Sequence, residues 1–307
     1  MKLLYALLFI GMAFSGENLN AQGCCTAGSP SLGGLQTGLS PAGRMTYALT
    51  YESTRLASAY RGSEQIADRL GRKAIVNNVS VEFGYRLGAR LGMNLIGNFS
   101  SRSREVNLGN AGVFNSKGSG VGDLVALLKF DVLPLELAHQ RELAVGVGLK
   151  APVGRFRIEQ EGVRLSYDLH PGTGSWDPLL WLYAFKGFLP RRYNFFASFA
   201  FRFPGANPDG YRIGREVTYY LGGSYRCCNP FDLILQIRGR HTGKDVYLSR
   251  QRASTGGTWF FAAPAVNLNL LNQVALQIQY QHPLYFRVNG EQLAPDRTVA
   301  LALFYRI

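Results

Sequence analysis

Alternation of apolar side chains with a period of two, repeated through most of the 307 residues, is the feature that most restricts this chain. In RRYNFFASFAFRF, Tyr193, Phe195, Phe199, Phe201 and Phe203 share one parity, and Asn194, Ser198 and Arg202 share the other. In NQVALQIQYQ, Val274, Leu276, Ile278 and Tyr280 oppose Gln277, Gln279 and Gln281. The last segment sets Val299, Leu301, Leu303, Tyr305 and Ile307 together. Successive side chains of a β-strand point to opposite faces, so each segment reads as a strand with one greasy face and one small or polar face.

The pattern predicts about twelve such strands, a number typical of small membrane barrels. They fall near 44–57, 73–87, 90–102, 120–133, 140–152, 176–188, 191–204, 213–227, 230–241, 257–269, 272–287 and 296–307. The connections alternate. Long polar ones at 56–72, 101–119, 155–175 and 241–256 are separated by short ones, such as 87–90, 187–191, 227–230 and 270–272. That rule describes a transmembrane antiparallel β-barrel with short periplasmic turns and long extracellular loops. A soluble β-sandwich predicts no such rule, and its exposed faces need more charge than the 17% of this chain. The 36 glycines and 35 Phe plus Tyr (19 and 16) also suit closely passing strands. Tyr47, Tyr51, Trp176, Tyr193, Tyr225, Trp259 and Tyr305 fall near strand ends, where amphipathic rings favour a membrane interface.

Residues 1–22 read as a cleaved secretory signal peptide: Lys2, a short apolar run from Leu3 to Phe14, then small residues up to Ala21. Cys24 raises lipidation as an alternative, but Ala21 stands where a lipobox has Leu. No later run approaches the ~18 apolar residues of a membrane helix. Residues 23–43 are rich in Gly, Ser and Pro and do not alternate; they are either a periplasmic leader or a segment tucked into the lumen. Residues 44–307 are the barrel. An even strand count puts both chain ends on the periplasmic side. The expected location is the bacterial outer membrane, with its lipid and lipopolysaccharide as surroundings. Export argues against nucleic acid as the partner of the +13 net charge and favours an anionic envelope surface.

Three stretches carry a family resemblance: GVGDLVALLKFDVL (Gly120 to Leu133), LAVGVGLKAPVGRF (Leu143 to Phe156) and PGTGSWDPLLWLYAF (Pro171 to Phe185). The chain resembles the outer-membrane barrels named after phenol degradation by the meta-cleavage pathway, themselves related to fatty-acid and aromatic-hydrocarbon channels. The resemblance implies a channel for a small, hydrophobic or aromatic solute, with no catalytic residues and no cofactor. It also implies an N-terminus that plugs the lumen.

The residues support no enzyme independently. Gly172-Thr173-Gly174-Ser175-Trp176 lacks the second glycine and the helix of a hydrolase elbow, and no Gly-Lys-Ser/Thr phosphate loop is present. Its glycines instead let a long outer loop turn into a strand, with Trp176 at the interface and Asp177 leaving the pleat to turn inward. His139 falls in a periplasmic turn and His170 and His241 in outer loops. His282 lies on a greasy strand face without a serine two residues away. The cysteines lack metal spacing. Cys227 and Cys228 sit in a periplasmic turn and Cys24 and Cys25 begin the mature chain, so a disulfide tether, adjacent-Cys disulfides or free thiols all fit.

Function then rests on the lumen. By alternation Glu82, Arg86, Asp123, Lys129, Glu142, Lys150, Asp177, Arg202, Glu216 and Arg238 point inward, as does Arg226. These groups either line a polar path or form a static network in a closed core. Arg202, Arg238 and Arg240 hint at a cationic stretch that would favour anions. Passive passage of a small solute is the leading expectation. A barrel displaying adhesive loops is the alternative, and an outer-membrane lipid enzyme is less favoured.

Overall fold

The computed structural model describes Gly38 and residues 45–135, 140–188 and 191–307. Eleven strands form the wall: β1 (Met45–Gly62), β2 (Lys73–Arg86), β3 (Leu91–Asn107), β4 (Leu124–Leu133), β5 (Arg141–Ala151), β6 (Asp177–Phe188), β7 (Tyr193–Arg202), β8 (Glu216–Cys228), β9 (Phe231–Thr242), β10 (Gly257–Asn269) and β11 (Val274–Arg306). Each pairs antiparallel with its sequence neighbour, and β1 pairs with β11 to close the barrel. The 33-residue β11 doubles back at Asn289 and Gly290, where Gly290 has φ 61°. Its first half pairs with β10 and its second with β1, so the wall is crossed twelve times. Closure leaves no open sheet edge, which is what a strand wall in hydrocarbon requires.

Burial follows the pleat in reverse of a soluble domain. In β4, Leu124, Leu128 and Phe130 are exposed, while Val125, Leu127, Lys129 and Asp131 are buried. In β11, Val299, Leu301, Leu303 and Tyr305 are exposed, and Ala300 and Ala302 face inward. An outward apolar belt with a mixed polar interior suits lipid outside.

Several expectations change. β1 reaches Gly62, and a Val113–Val121 strand pairs with the outer end of β3, so two expected loops are wall extensions. The expected loop at 288–295 lies within β11. In β6, Asp177 does not leave the pleat: Asp177, Leu179, Trp181 and Tyr183 all point inward in regular alternation. The lumen accepts these rings because β5 presents Gly146 opposite Trp181, and a Cβ there would stand 3.1 Å from the indole. Trp259 is 1% exposed, buried in a core cluster and not at an interface.

The segment between β5 and β6 (152–176) does not project outward. Its Ile158, Leu165 and Leu169 cross the mouth and pack on Leu56, Val76, Trp259, Phe286 and Leu293 of β1, β2, β10 and β11. The mouth is therefore closed by a hydrophobic core like that of a soluble domain.

Candidate functional site: the lumen and its capped mouth

The three motif stretches meet at Asp123. Its Oδ2 accepts from Lys150 Nζ at 2.6 Å, the Thr173 amide at 2.9 Å and the Thr173 hydroxyl at 2.8 Å, and its Oδ1 accepts from the Gly154 amide at 3.1 Å. Gly122, Gly154 and Gly172 stack backbone to backbone beside it: a Cβ on Gly154 would lie 2.6 Å from the Gly122 carbonyl carbon, and one on Gly172 2.6 Å from that of Gly154. Glycine is needed here for close approach, whatever its φ.

From Asp123 an alternating chain of charge runs along the outer end of successive strands. Lys150 of β5 also contacts Asp177 of β6 at 3.2 Å. Arg202 of β7 reaches Asp177 at 3.5 Å and Glu216 of β8 at 3.1 Å. Arg240 of β9 meets Glu216 at 2.5 Å. Such buried charges persist because each is paired.

Two further loops complete the cap. Asp209, between β7 and β8, takes Arg157 at 2.8 Å and also pairs with Arg164. These guanidiniums hold its carboxyl below the usual range, Arg157 by hydrogen bonding first. Tyr211 stacks on Tyr167 at 4.0 Å and donates to Asp245 at 2.5 Å. His170 is 2% exposed, and neither ring nitrogen makes a well-formed hydrogen bond, although the Ile158 carbonyl stands near.

Below the cap lie two chambers. The outer, about 140 Å³, is bounded by Ile96, Val125, Leu179, Ala200, His170 and the charge chain. The inner, about 260 Å³, is bounded by Glu52, Phe185, Phe196, Gln236, Gln279 and Arg306. Between them Tyr183, Ser198, Tyr220, Arg238 and Phe261 stand opposite one another on β6 to β10, all buried. Trp181 thickens this waist, with the Lys129 ammonium 4.4 Å above its ring.

Comparison with solved structures finds three barrels similar to this chain in fold. The COG4313 outer membrane channel from Pseudomonas putida F1 has a TM-score of 0.70 at 18% identity, over 91% of this chain and 100% of that one. The translocator domain of the autotransporter NalP from Neisseria meningitidis gives 0.47 at 11%, over 87% and 90%. A Pseudomonas aeruginosa FadL homologue gives 0.43 at 8%, over 85% and 90%. The chain shares the barrel fold of the first. No family model matches the sequence, and no curated protein matches it.

Within the barrel, Glu82, Asp123, Lys129, Glu142, Lys150, Asp177 and Arg238 are buried, and Arg202 and Glu216 are nearly so. Arg86 is tucked under the inner end against Asp131 at 2.8 Å. Glu82 accepts from Asn94 at 2.6 Å. Arg226, on the same strand parity as Ser224 of the inner chamber, is exposed at the inner rim and pairs with Asp232 at 2.9 Å. The arginines of the expected cationic stretch are engaged: Arg202 and Arg240 share Glu216, and Arg238 donates to Gln281 at 3.0 Å. The sequence reading placed His170 in an outer loop without a role, and it missed Asp168, Tyr211 and Asp245, because all four lie in segments without alternation. Only their crowding with glycine and proline marked those segments as structured.

Gly38 is the described residue of the segment 23–43. It lies against the Glu142 carboxylate and within hydrogen-bond reach of Tyr183, at the inner chamber. His282 is exposed on the outer face, stacked with Tyr280, and β10 presents Ala262 opposite it, not a serine. His241 lies on β9 and bonds Thr258 at 2.8 Å, and His139 falls outside the described residues. Cys227 and Cys228 are free thiols 3.3 Å apart, and Cys24 and Cys25 lie outside the described residues. Among the described residues no cluster of three or more His, Cys, Asp or Glu is placed to hold a metal.

Proposed function

We propose that this chain is an outer-membrane channel for passive passage of a small solute, delivered by a cleaved signal peptide and surrounded by outer-membrane lipid and lipopolysaccharide. The observation that carries the reading is the lumen itself, which holds two chambers in line on either side of a bulky waist. A barrel serving only to display loops gains nothing from leaving its core open. The resemblance to the meta-pathway barrels and the predominantly apolar wall of the outer chamber support a small apolar or aromatic solute. Passage requires the cap or the waist to move, because both are packed. Gly38 beside Glu142 supports an N-terminal segment that occupies the inner chamber.

Conductance of the purified chain in planar bilayers, full-length and lacking Cys24 to Gly43, tests this. Discrete openings separated by closed intervals, larger in the truncated form, are expected. Silence in both forms rules out the open-pore reading and leaves lateral transfer of hydrophobic molecules or a barrel that only displays its loops.

A further inference from the structure

We propose that the outer chamber is a binding site for one small neutral molecule, about the size of a six-membered ring, whose polar head hydrogen-bonds to His170. This deepens the channel reading and rests on it.

Three observations carry the proposal. The first is size: the chamber holds about 140 Å³, and apolar cavities of about 150 Å³ take benzene. The second is chemistry of the wall. Ile96, Val125, Leu179 and Ala200 supply an apolar side. Each charged group around it makes at least one hydrogen bond or ion pair within the protein. Asp123 holds Lys150, Glu216 holds Arg202 and Arg240, and Asp168 holds Arg104. Arg102 donates to the Asp168 carbonyl, and Asp245 accepts from Tyr211 and the Gly214 amide. A charged solute entering this chamber loses its water and must compete for charges already engaged within the protein. A neutral solute avoids that cost.

The third observation is His170. A buried polar ring without a well-formed hydrogen bond is uncommon, because the lost solvation is not returned. His170 lines the chamber and is 2% exposed; the Ile158 carbonyl stands near the ring, and neither nitrogen makes a well-formed hydrogen bond within the protein. A neutral imidazole offers one donor and one acceptor, and with the Ile158 carbonyl near the donor the remaining nitrogen accepts from a solute hydroxyl. A solute with an apolar ring and one hydroxyl matches both sides of the chamber.

The test uses the full chain in micelles, with histidine labelled at Cε1 and cyclohexanol as probe. One histidine resonance, the one absent in His170→Phe, should shift and saturate. His282 on the outer face should drift without saturating, since it reports cyclohexanol dissolved in the micelle. Glucose and cyclohexanecarboxylate should bind at least about tenfold more weakly, the loss expected when a polar or charged group lacks a partner. Ala200→Leu, which fills the chamber and leaves His170 in place, should abolish the shift. The proposal is overturned by no saturable shift in the parent protein, by equal binding of glucose or the carboxylate, or by a shift that survives Ala200→Leu. Binding and flux are separate readouts. A protein that conducts but binds no cyclohexanol refutes the chamber alone. One that binds but never conducts refutes the channel reading and keeps the site.

Discussion

Asp123 and Lys150 form a 2.6 Å ion pair at the point where the turn before β4, the end of β5 and the segment entering β6 converge. Both side chains are buried, at 4% and 7% exposure. Removing one partner of such a pair costs about 3–5 kcal/mol. Asp123→Ala also orphans the Gly154 and Thr173 amides. The expected result is a cap that no longer seats: new protease cuts within 152–176 and a lower temperature for the loss of heat-modifiable migration. Asp123→Asn, which keeps an acceptor, should lose less. Equal protease resistance in parent and Asp123→Ala proteins refutes the role given to this pair.

Gly172 approaches the Gly154 backbone so closely that a methyl group would stand 2.6 Å from a carbonyl carbon. Gly172→Ala is therefore expected to open the same cap while leaving every charge in place. Conductance noise and loop proteolysis should rise together. If the variant matches the parent in both, close approach is not what closes the mouth.

The barrel was legible in the sequence because its wall obeys one rule. Alternation, once it runs outward-apolar, places β4, β7 and β11 without further information. The waist was not legible, because in β6 both faces are apolar. Leu180 and Leu182 face outward while Trp181 and Tyr183 face the lumen, and hydrophobicity alone does not order them. The deciding fact is Gly146 across the strand pair, which is a contact and not a local pattern. The cap was hidden for a related reason. Ile158, Leu165 and Leu169 are too widely spaced to mark an element, and their burial depends on Trp259 and Phe286 some hundred residues away in the chain. Asp123 and Lys150 were placed by strand parity and Asp177 by a departure from the pleat that β6 does not make; the mutual pairing of all three required the fold.

Trp181 and Tyr183 stack at 5.8 Å within the waist. If the waist limits flow, Trp181→Ala should raise single-channel conductance roughly twofold or more, since the narrowest ring dominates the resistance of a pore. Phe201→Ala, on the exposed outer face of β7, is the control and should leave conductance unchanged. Equal conductance in parent and Trp181→Ala proteins moves the limiting barrier to the cap.

Asp209 joins two loops through Arg157 and Arg164, whose side chains are 52% and 37% exposed. Surface pairs of this kind contribute about 0–1 kcal/mol. Asp209→Asn should therefore leave the melting of the barrel unchanged while speeding amide exchange at 157–164. Unchanged exchange there means the clasp is ornamental.

His170 supplies a pH dependence with a defined sign. Burial lowers its pKa below the ordinary 6.5, and the positive charges of Arg164 and Arg102 act in the same direction against Asp168. The edge-on ring of Tyr167 and the Ile158 carbonyl complete its surroundings. Between the lowered value and 6.5 the unfolded chain binds more protons than the folded one, so stability rises with pH in that window. The contribution is fully present above 6.5 and is lost as pH falls through the folded value. Acid should loosen the cap and drive a proton onto the ring that the chamber cannot solvate. A histidine Cε1 titration should place His170 below 6.5, with cap protection from proteolysis fading over the same range. His170→Phe should abolish that fading. A His170 midpoint above 6.5, or acid loosening that persists in His170→Phe, overturns this account.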